Sequence, residues 1–262
     1  MKKDKIEKKI IKQNNNNTRL QKTLKKNDIK ILPNHVAFIL DGNRRWAKEN
    51  GKNANFGHQK GAENVKNLCE MCLKYKIKYL TLYCLSIENL QRSKQELNFL
   101  FRTIKNNLTQ ENIKKYNEQD NVNINIIGDR SVLPENLQKH IEKIDKIKIK
   151  NAKLELQICF GYSGRNEIVN AVKNIIKDEK NKKLKINDID EKTFEKYLFT
   201  SNIPDVDLMI RTGGDIRISN FLLWKLSYAE LYFCDTYFPA FSEKDFLLAL
   251  YNFQSRKRRY GK

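Results

Sequence analysis

From Pro33 onward, short apolar runs alternate with stretches whose apolar residues recur every three or four positions. Residues 35–40 (His-Val-Ala-Phe-Ile-Leu) form the first run, the pattern of a buried strand. Over 58–75 the spacing turns helical, through Ala62, Val65, Leu68, Cys69 and Cys72. A strand is predicted at 79–85, then one long helix over 93–117 with Leu97, Leu100, Phe101 and Ile104 on one face. Further strands are predicted at 122–127, 154–160, 206–210 and 230–233, and helices at 135–149, 163–178 and 242–255. Strands separated by helices predict a single α/β domain over 31–262, with a central, mostly parallel six-stranded sheet covered on both faces. In such sheets ligands bind beyond the carboxyl ends of the strands, so those ends are where chemistry is sought.

Residues 1–30 break this pattern. They are Lys-rich, carry Asn14 to Asn17 in a row and hold little apolar content before Ile29, so they read as a disordered basic tail. The chain holds 51 Lys and Arg against 31 Asp and Glu, a formal charge of +20. That balance favours anionic partners, but Lys, Asn and Ile are frequent throughout, so net charge alone carries little functional weight. Five cysteines lie in apolar stretches. Cys69 and Cys72 form a C-x-x-C with no second ligand pair at zinc spacing, which suits buried, reduced thiols and a cytoplasmic setting. No stretch approaches the roughly 20 apolar residues of a membrane span, and the N-terminal residues lack an apolar signal core.

The chemistry gathers at strand ends. Asp41-Gly42-Asn43-Arg44-Arg45-Trp46 follows the first strand: a carboxylate, a glycine, then a helix start with free N–H groups and a guanidinium. Beside a diphosphate, such a carboxylate is most simply a Mg²⁺ ligand. Taken alone, the segment is equally a capping Asp with two surface arginines. His58 opens the next helix within Gly-His-Gln-Lys-Gly, either as a cap or as a donor or proton relay. After the second strand, Ser86, Asn89 and Arg92 collect a hydroxyl, an amide and a guanidinium. The strand ending at Ile210 leads into Arg211, a Gly213-Gly214 break, Arg217 and Ser219, the parts needed to hold a diphosphate. Glu230 stands as a lone acid among apolar residues, costly unless paired or metal-bound. No G-x-x-x-x-G-K-[ST], G-x-G-x-x-G or D-D-x-x-D pattern is present, and no aromatic-rich basic strand suggests nucleic-acid recognition.

In order, the segments His-Val-Ala-Phe-Ile-Leu-Asp-Gly-Asn-Arg-Arg-Trp-Ala, Ser-Ile-Glu-Asn, Gly-Tyr-Ser-Gly-Arg and Ile-Arg-Thr-Gly-Gly-Asp-Ile-Arg-Ile-Ser-Asn resemble the cis-prenyltransferase family from about residue 35 to 261. The resemblance implies an enzyme that adds isopentenyl diphosphate to an allylic diphosphate such as farnesyl diphosphate, with Mg²⁺ as cofactor, to make a long polyprenyl diphosphate for a dolichol-type carrier lipid. It implies that Asp41 handles Mg²⁺ and promotes diphosphate loss, with Glu230 completing the metal site. Gly42, Asn43, Arg44, Arg45 and Trp46 would cradle the allylic diphosphate, helped by His58 and Arg92. Arg211, Arg217 and Ser219 would hold isopentenyl diphosphate, Ser86 and Asn89 would sit at the reacting ends, and the growing chain would occupy an apolar tunnel. Arg259 and Gly261 resemble an R-x-G element that reaches into a partner's site, implying a homodimer, with peripheral contact to a membrane such as the endoplasmic reticulum. Three departures stand out: Ala54 where bacterial members carry Arg, Leu90 where an aromatic is usual, and Asp215 where Glu is common. The rival readings are a non-catalytic partner subunit, disfavoured by the intact Asp41 to Arg45 segment, and a nucleic-acid binder, suggested by net charge alone.

Overall fold

Six strands assemble into one parallel sheet in the computed structural model, which describes residues 28–256. The strands are β1 (His35–Ile39), β2 (Tyr79–Ser86), β3 (Val122–Ile127), β4 (Leu154–Tyr162), β5 (Leu208–Arg211) and β6 (Glu230–Phe233), ordered β3-β4-β2-β1-β5-β6. Every pairing is parallel, so "mostly parallel" becomes wholly parallel. Eight α-helices are present among the described residues: α1 (Asn43–Glu49), α2 (Ala54–Lys74), α3 (Lys94–Asn107), α4 (Gln110–Lys115), α5 (Glu135–Asp145), α6 (Gly164–Lys180), α7 (Glu191–Glu195) and α8 (Glu243–Gln254).

Because side chains alternate across a strand, the apolar runs split between two cores. Val36 and Phe38 of β1 join Leu156, Ile158 and Phe160 of β4 on one face, beneath α2, α5 and α8. Ala37 and Ile39 join Cys159, Tyr162 and Met209 on the other, with Phe221 and Leu222. Continuous apolar runs, rather than alternating ones, are what a sheet buried on both sides requires.

Several boundaries differ from expectation: α2 begins at Ala54 and not at 58, and α5 ends at Asp145 and not at 149, and two further differences have a clear cause. The helix predicted over 93–117 breaks at Leu108, which turns its side chain into the core, and Thr109 restarts the chain as α4 by accepting a hydrogen bond from the Asn112 N–H at 3.1 Å. An N-cap threonine outcompetes continuation because it satisfies a donor the helix would otherwise leave free. A π-helical turn at Tyr116–Asp120 then leads into β3. At the other end, Asp28 to Lys30 belong to the fold and not to the tail. Ile29 is buried, and the Gln254 amide donates to the Asp28 carbonyl while its oxygen accepts from the Lys30 N–H. The remainder of the expected tail lies outside the described residues.

His35 shows how the second face is set. Its Nδ1 faces the Pro204 carbonyl at 2.9 Å, which can only accept, so Nδ1 carries the proton and Nε2 accepts from the Thr81 hydroxyl at 2.8 Å. Burial of this neutral ring lowers its pKa from 6.5 to about 4, against the raising influence of nearby backbone carbonyls. The unfolded chain therefore binds a proton below pH 6.5 that the folded chain refuses until about pH 4. Stability is expected to fall as pH drops through that window, by on the order of 3 kcal/mol. Thermal melts between pH 7 and 4.5 check this, with His35→Asn expected to show a shallower decline.

Candidate active site

The carboxyl ends of β1, β2 and β5 meet at the mouth of a cavity of about 1170 Å³. Its polar mouth holds Asp41, Arg45, His58, Arg92, Arg211 and Asp215. Its body crosses the sheet from β1 to β3, past Leu82 and Cys84 of β2, Ile158 of β4 and Ile124 of β3, and is roofed by α2 and α3.

Asp41 is placed by the end of β1. The next residue, Gly42, has φ 99°, and a Cβ there would lie 2.5 Å from Tyr237 Cδ1, so the turn into α1 needs glycine. That turn brings the Gly42 N–H to 2.6 Å from Asp41 Oδ1. Arg45, one turn into α1, reaches the same oxygen at 3.1 Å, and Arg211 Nη2 donates to Oδ2 at 2.8 Å. Partial burial alone would raise the Asp41 pKa, but the Arg211 hydrogen bond and the Gly42 N–H outweigh it and hold the carboxyl below its usual range. Asp41 is ionised at neutral pH.

Arg211 closes β5 with its side chain only 4% exposed. Nη1 donates to the Arg217 carbonyl at 2.6 Å and to Ser219 Oγ at 2.7 Å, while its buried Nε has no partner among the described residues. A buried N–H left unsatisfied is costly, and here it belongs to a residue that lines the cavity. The Gly213 turn that follows has φ 87°, and a Cβ on it would meet Arg45 Nη2 at 2.9 Å. The positive φ, with the Asp41 backbone 3.1 Å from that Cβ, is what calls for glycine here. Asp215 Oδ2 sits 2.9 Å from Arg217 and about equally far, 3.4 and 3.5 Å, from Arg45 and Arg211.

A second group of polar side chains, His58, Ser86, Asn89 and Arg92, lines the same cavity. His58 Nε2 donates to Glu96 Oε1 at 3.0 Å, and Arg92 donates to the same oxygen at 3.1 Å. Burial, with Arg92 and Arg44 nearby, lowers the His58 pKa despite Glu96. The ring is thus neutral at neutral pH, and its Nδ1 is left as an acceptor. Ser86 and Asn89 brace each other: Asn89 N–H donates to Ser86 Oγ at 3.1 Å and Ser86 N–H to Asn89 Oδ1 at 3.3 Å.

Of the residues singled out from the sequence, Asp41, Gly42, Asn43, Arg44, Arg45, His58, Ser86, Asn89, Arg92, Arg211, Arg217 and Ser219 all line this one cavity. Two do not. Trp46 stacks on Phe56, 6.1 Å between centroids, away from the cavity. Glu230 opens β6 opposite Leu208, whereas Arg211 pairs with Phe233, so Glu230 lies at the amino-terminal end of the sheet edge and its carboxylate binds Arg256 at 2.7 Å. The expected pairing of Asp41 with Glu230 at one metal is therefore not made within this chain. Arg259 and Gly261 lie outside the described residues. Thr212 and Glu96 were not anticipated, and Asp215 stands out in the sequence only as a departure from the family motif. Thr212 is buried beside Arg211, donating to the Asp41 carbonyl at 2.7 Å and accepting the Asp41 N–H at 3.0 Å.

Residues 39–261 match the family model described as putative undecaprenyl diphosphate synthase. The chain belongs to this cis-prenyltransferase family. A tritrans,polycis-undecaprenyl-diphosphate synthase (geranylgeranyl-diphosphate specific) from Pyrococcus abyssi is 41% identical over 232 residues, 88% of each chain. A ditrans,polycis-undecaprenyl-diphosphate synthase ((2E,6E)-farnesyl-diphosphate specific) from Buchnera aphidicola is 43% identical, over 87% of this chain and 90% of that one. The crystal structure of lavandulyl diphosphate synthase from Lavandula x intermedia, in complex with dimethylallyl diphosphate, superposes with a TM-score of 0.83 at 38% identity, over 88% of this chain and 99% of that one. This cis-prenyltransferase is accordingly an enzyme that transfers prenyl groups. Among its described residues no cluster of three or more His, Cys, Asp or Glu could hold a metal. A single carboxylate beside an anion cradle nevertheless fits Mg²⁺, which is bound through one or two carboxylates together with substrate phosphates.

Proposed function

We propose that the enzyme condenses isopentenyl diphosphate units onto an allylic diphosphate, farnesyl diphosphate in the first instance, to build a long polyprenyl diphosphate. The observation that carries this reading is an ionised carboxylate bracketed by two guanidiniums in a cavity that also runs past Leu82, Ile104, Leu156 and Ile158. Diphosphates belong at the arginines and a hydrocarbon chain in the body. Arg44, Arg45 and the Gly42–Asn43 turn face the allylic diphosphate, and Arg211, Arg217 and Ser219 face that of isopentenyl diphosphate. The unpartnered Arg211 Nε supports the second assignment.

As the allylic C–O bond breaks, negative charge grows on the leaving diphosphate, and guanidiniums and backbone N–H groups fixed around it lower the barrier. Mg²⁺ held by Asp41 and phosphate oxygens would supply further charge neutralisation. The alkene carbon then bonds to the allylic carbon, and a proton leaves, with the neutral His58 Nδ1 or a diphosphate oxygen as acceptor.

The reading extends to a homodimer, supported by Val169, Val172 and Ile176, which form one exposed apolar stripe on α6. It also places the enzyme in the cytoplasm, in peripheral contact with a membrane such as the endoplasmic reticulum, with its product a dolichol-type carrier lipid. No described helix is long and apolar enough to cross a membrane.

The test is incubation of the purified chain alone with labelled isopentenyl diphosphate, Mg²⁺ and either farnesyl or geranylgeranyl diphosphate, with products sized by chromatography. A ladder ending in long polyprenyl diphosphate is expected with farnesyl diphosphate. Preference for geranylgeranyl diphosphate would correct the primer alone, and no product from folded protein would overturn the reading.

A further inference from the structure

The loop after β5 that carries Arg217 and Ser219 has an unusual backbone. Ser219, Asn220 and Leu222 adopt positive φ of 49°, 61° and 41°, a region that side-chain-bearing residues occupy only when their surroundings hold them there. Asn220 supplies the hold. Its carbonyl accepts the Gly164 N–H at 2.7 Å and its Oδ1 accepts the Arg165 N–H at 2.9 Å, tying the loop to the start of α6. Its Nδ2 donates to Glu88 Oε1 at 2.7 Å, and the other Glu88 oxygen accepts from Ser163 Oγ at 2.6 Å. Glu88 thus joins the turn after β2, the β4–α6 junction and the loop after β5.

Glu88 does not line the cavity, although Ser86 and Asn89 on either side of it do. Burial would raise its pKa, but the hydrogen bonds from Ser163 and Asn220 outweigh that and keep it ionised. A carboxylate turned away from the ligands, with both oxygens engaged by separate elements, sets geometry without touching substrate.

We propose that Glu88, acting through Asn220, is a positioning residue that holds Ser219 and Arg217 in register with Arg211 for isopentenyl diphosphate. The inference rests on the reading of those three residues as the isopentenyl diphosphate cradle. Ser219 Oγ lies 2.7 Å from Arg211 Nη1 only while the loop keeps its left-handed path. With Glu88 removed, the loop would sample other conformations and pre-organisation would be lost on that side alone.

The experiment is steady-state kinetics of the full chain with each substrate varied in turn. Glu88→Ala is expected to raise KM for isopentenyl diphosphate about tenfold, while KM for the allylic diphosphate and kcat stay within about twofold. Asn220→Ala should raise the same KM, and the double variant should fall short of the product of the two single effects, because both remove the shared Glu88–Asn220 contact while each also loses one of its own, to Ser163 or to the Arg165 N–H. Glu88→Gln, which keeps one acceptor oxygen, should fall between at about threefold; it decides the matter if Glu88→Ala fails to fold. Equal rises in both KM values, a fall in kcat alone, or additive effects would overturn the proposal. Arg217→Ala separates this inference from the reading beneath it. If that change leaves KM for isopentenyl diphosphate unaltered, the cradle assignment fails. If it raises KM while the Glu88 variants do not, only the positioning role falls.

Discussion

Asp41→Ala is expected to lower turnover by about 10³-fold or more while the protein remains folded. Three observations set that size. Arg45 and Arg211 both bond the carboxylate, its pKa is held low so that it is ionised throughout the neutral range, and under the proposed function it lies where a diphosphate leaving group develops charge. Losses of 10²–10³ are typical when one pre-organised charge-stabilising contact is removed, and Asp41 also orders Arg45 and Arg211. Stability should change little, because Arg211 keeps its bonds to the Arg217 carbonyl and Ser219 Oγ. Single-turnover kinetics beside a thermal melt measure both. Wild-type rates in a folded Asp41→Ala protein would remove it from the chemistry.

Arg211→Ala is expected to be nearly as severe, with KM for isopentenyl diphosphate up by about 100-fold and Arg211→Lys giving little rescue. A guanidinium presents a rigid fork that here serves a carboxylate, a carbonyl and a hydroxyl at once, and an ammonium cannot reproduce it. A second consequence follows for pH. Arg211 is the largest influence lowering the Asp41 pKa, so its loss lets that pKa rise. Activity that needs ionised Asp41 disappears as pH falls through this pKa. The acid limb of kcat/KM should therefore move to higher pH in Arg211→Ala, and an unmoved limb would separate Arg211 from Asp41.

Most of the site could be read before the fold was seen, because strand ends announce themselves. Asp41, Ser86 and Arg211 each close an apolar run, and parallel strands bring all such ends to one edge. Glu230 illustrates the limit of reading by resemblance. It opens its strand instead of closing it, so the same rule sends it to the opposite end, and that signal was present in the sequence. The resemblance implies a binding role for Trp46, yet one helical position beyond Arg45 turns it toward Phe56. The break at Leu108 was hidden by helical spacing that continues across it, with only Thr109 to mark a new cap. Glu88 could not be assigned, because its role depends on which loops meet in space. Sequence order places Asn220 more than a hundred residues from Glu88, and only the neighbouring positions of β1, β2, β4 and β5 bring them together.

The cavity runs across the strands rather than along them, from β1 over β2 and β4 to β3. Under the proposed function, a lengthening hydrocarbon would advance over the sheet as over the rungs of a ladder, each about 4.8 Å from the last. Leu82 and Cys84 would then be met by short intermediates, Ile158 and Leu156 by longer ones, and Ile124 only by chains near full length. The sheet would serve as a scale graduated in strands, and the step at which a substitution first alters the product ladder would report the rung on which it stands.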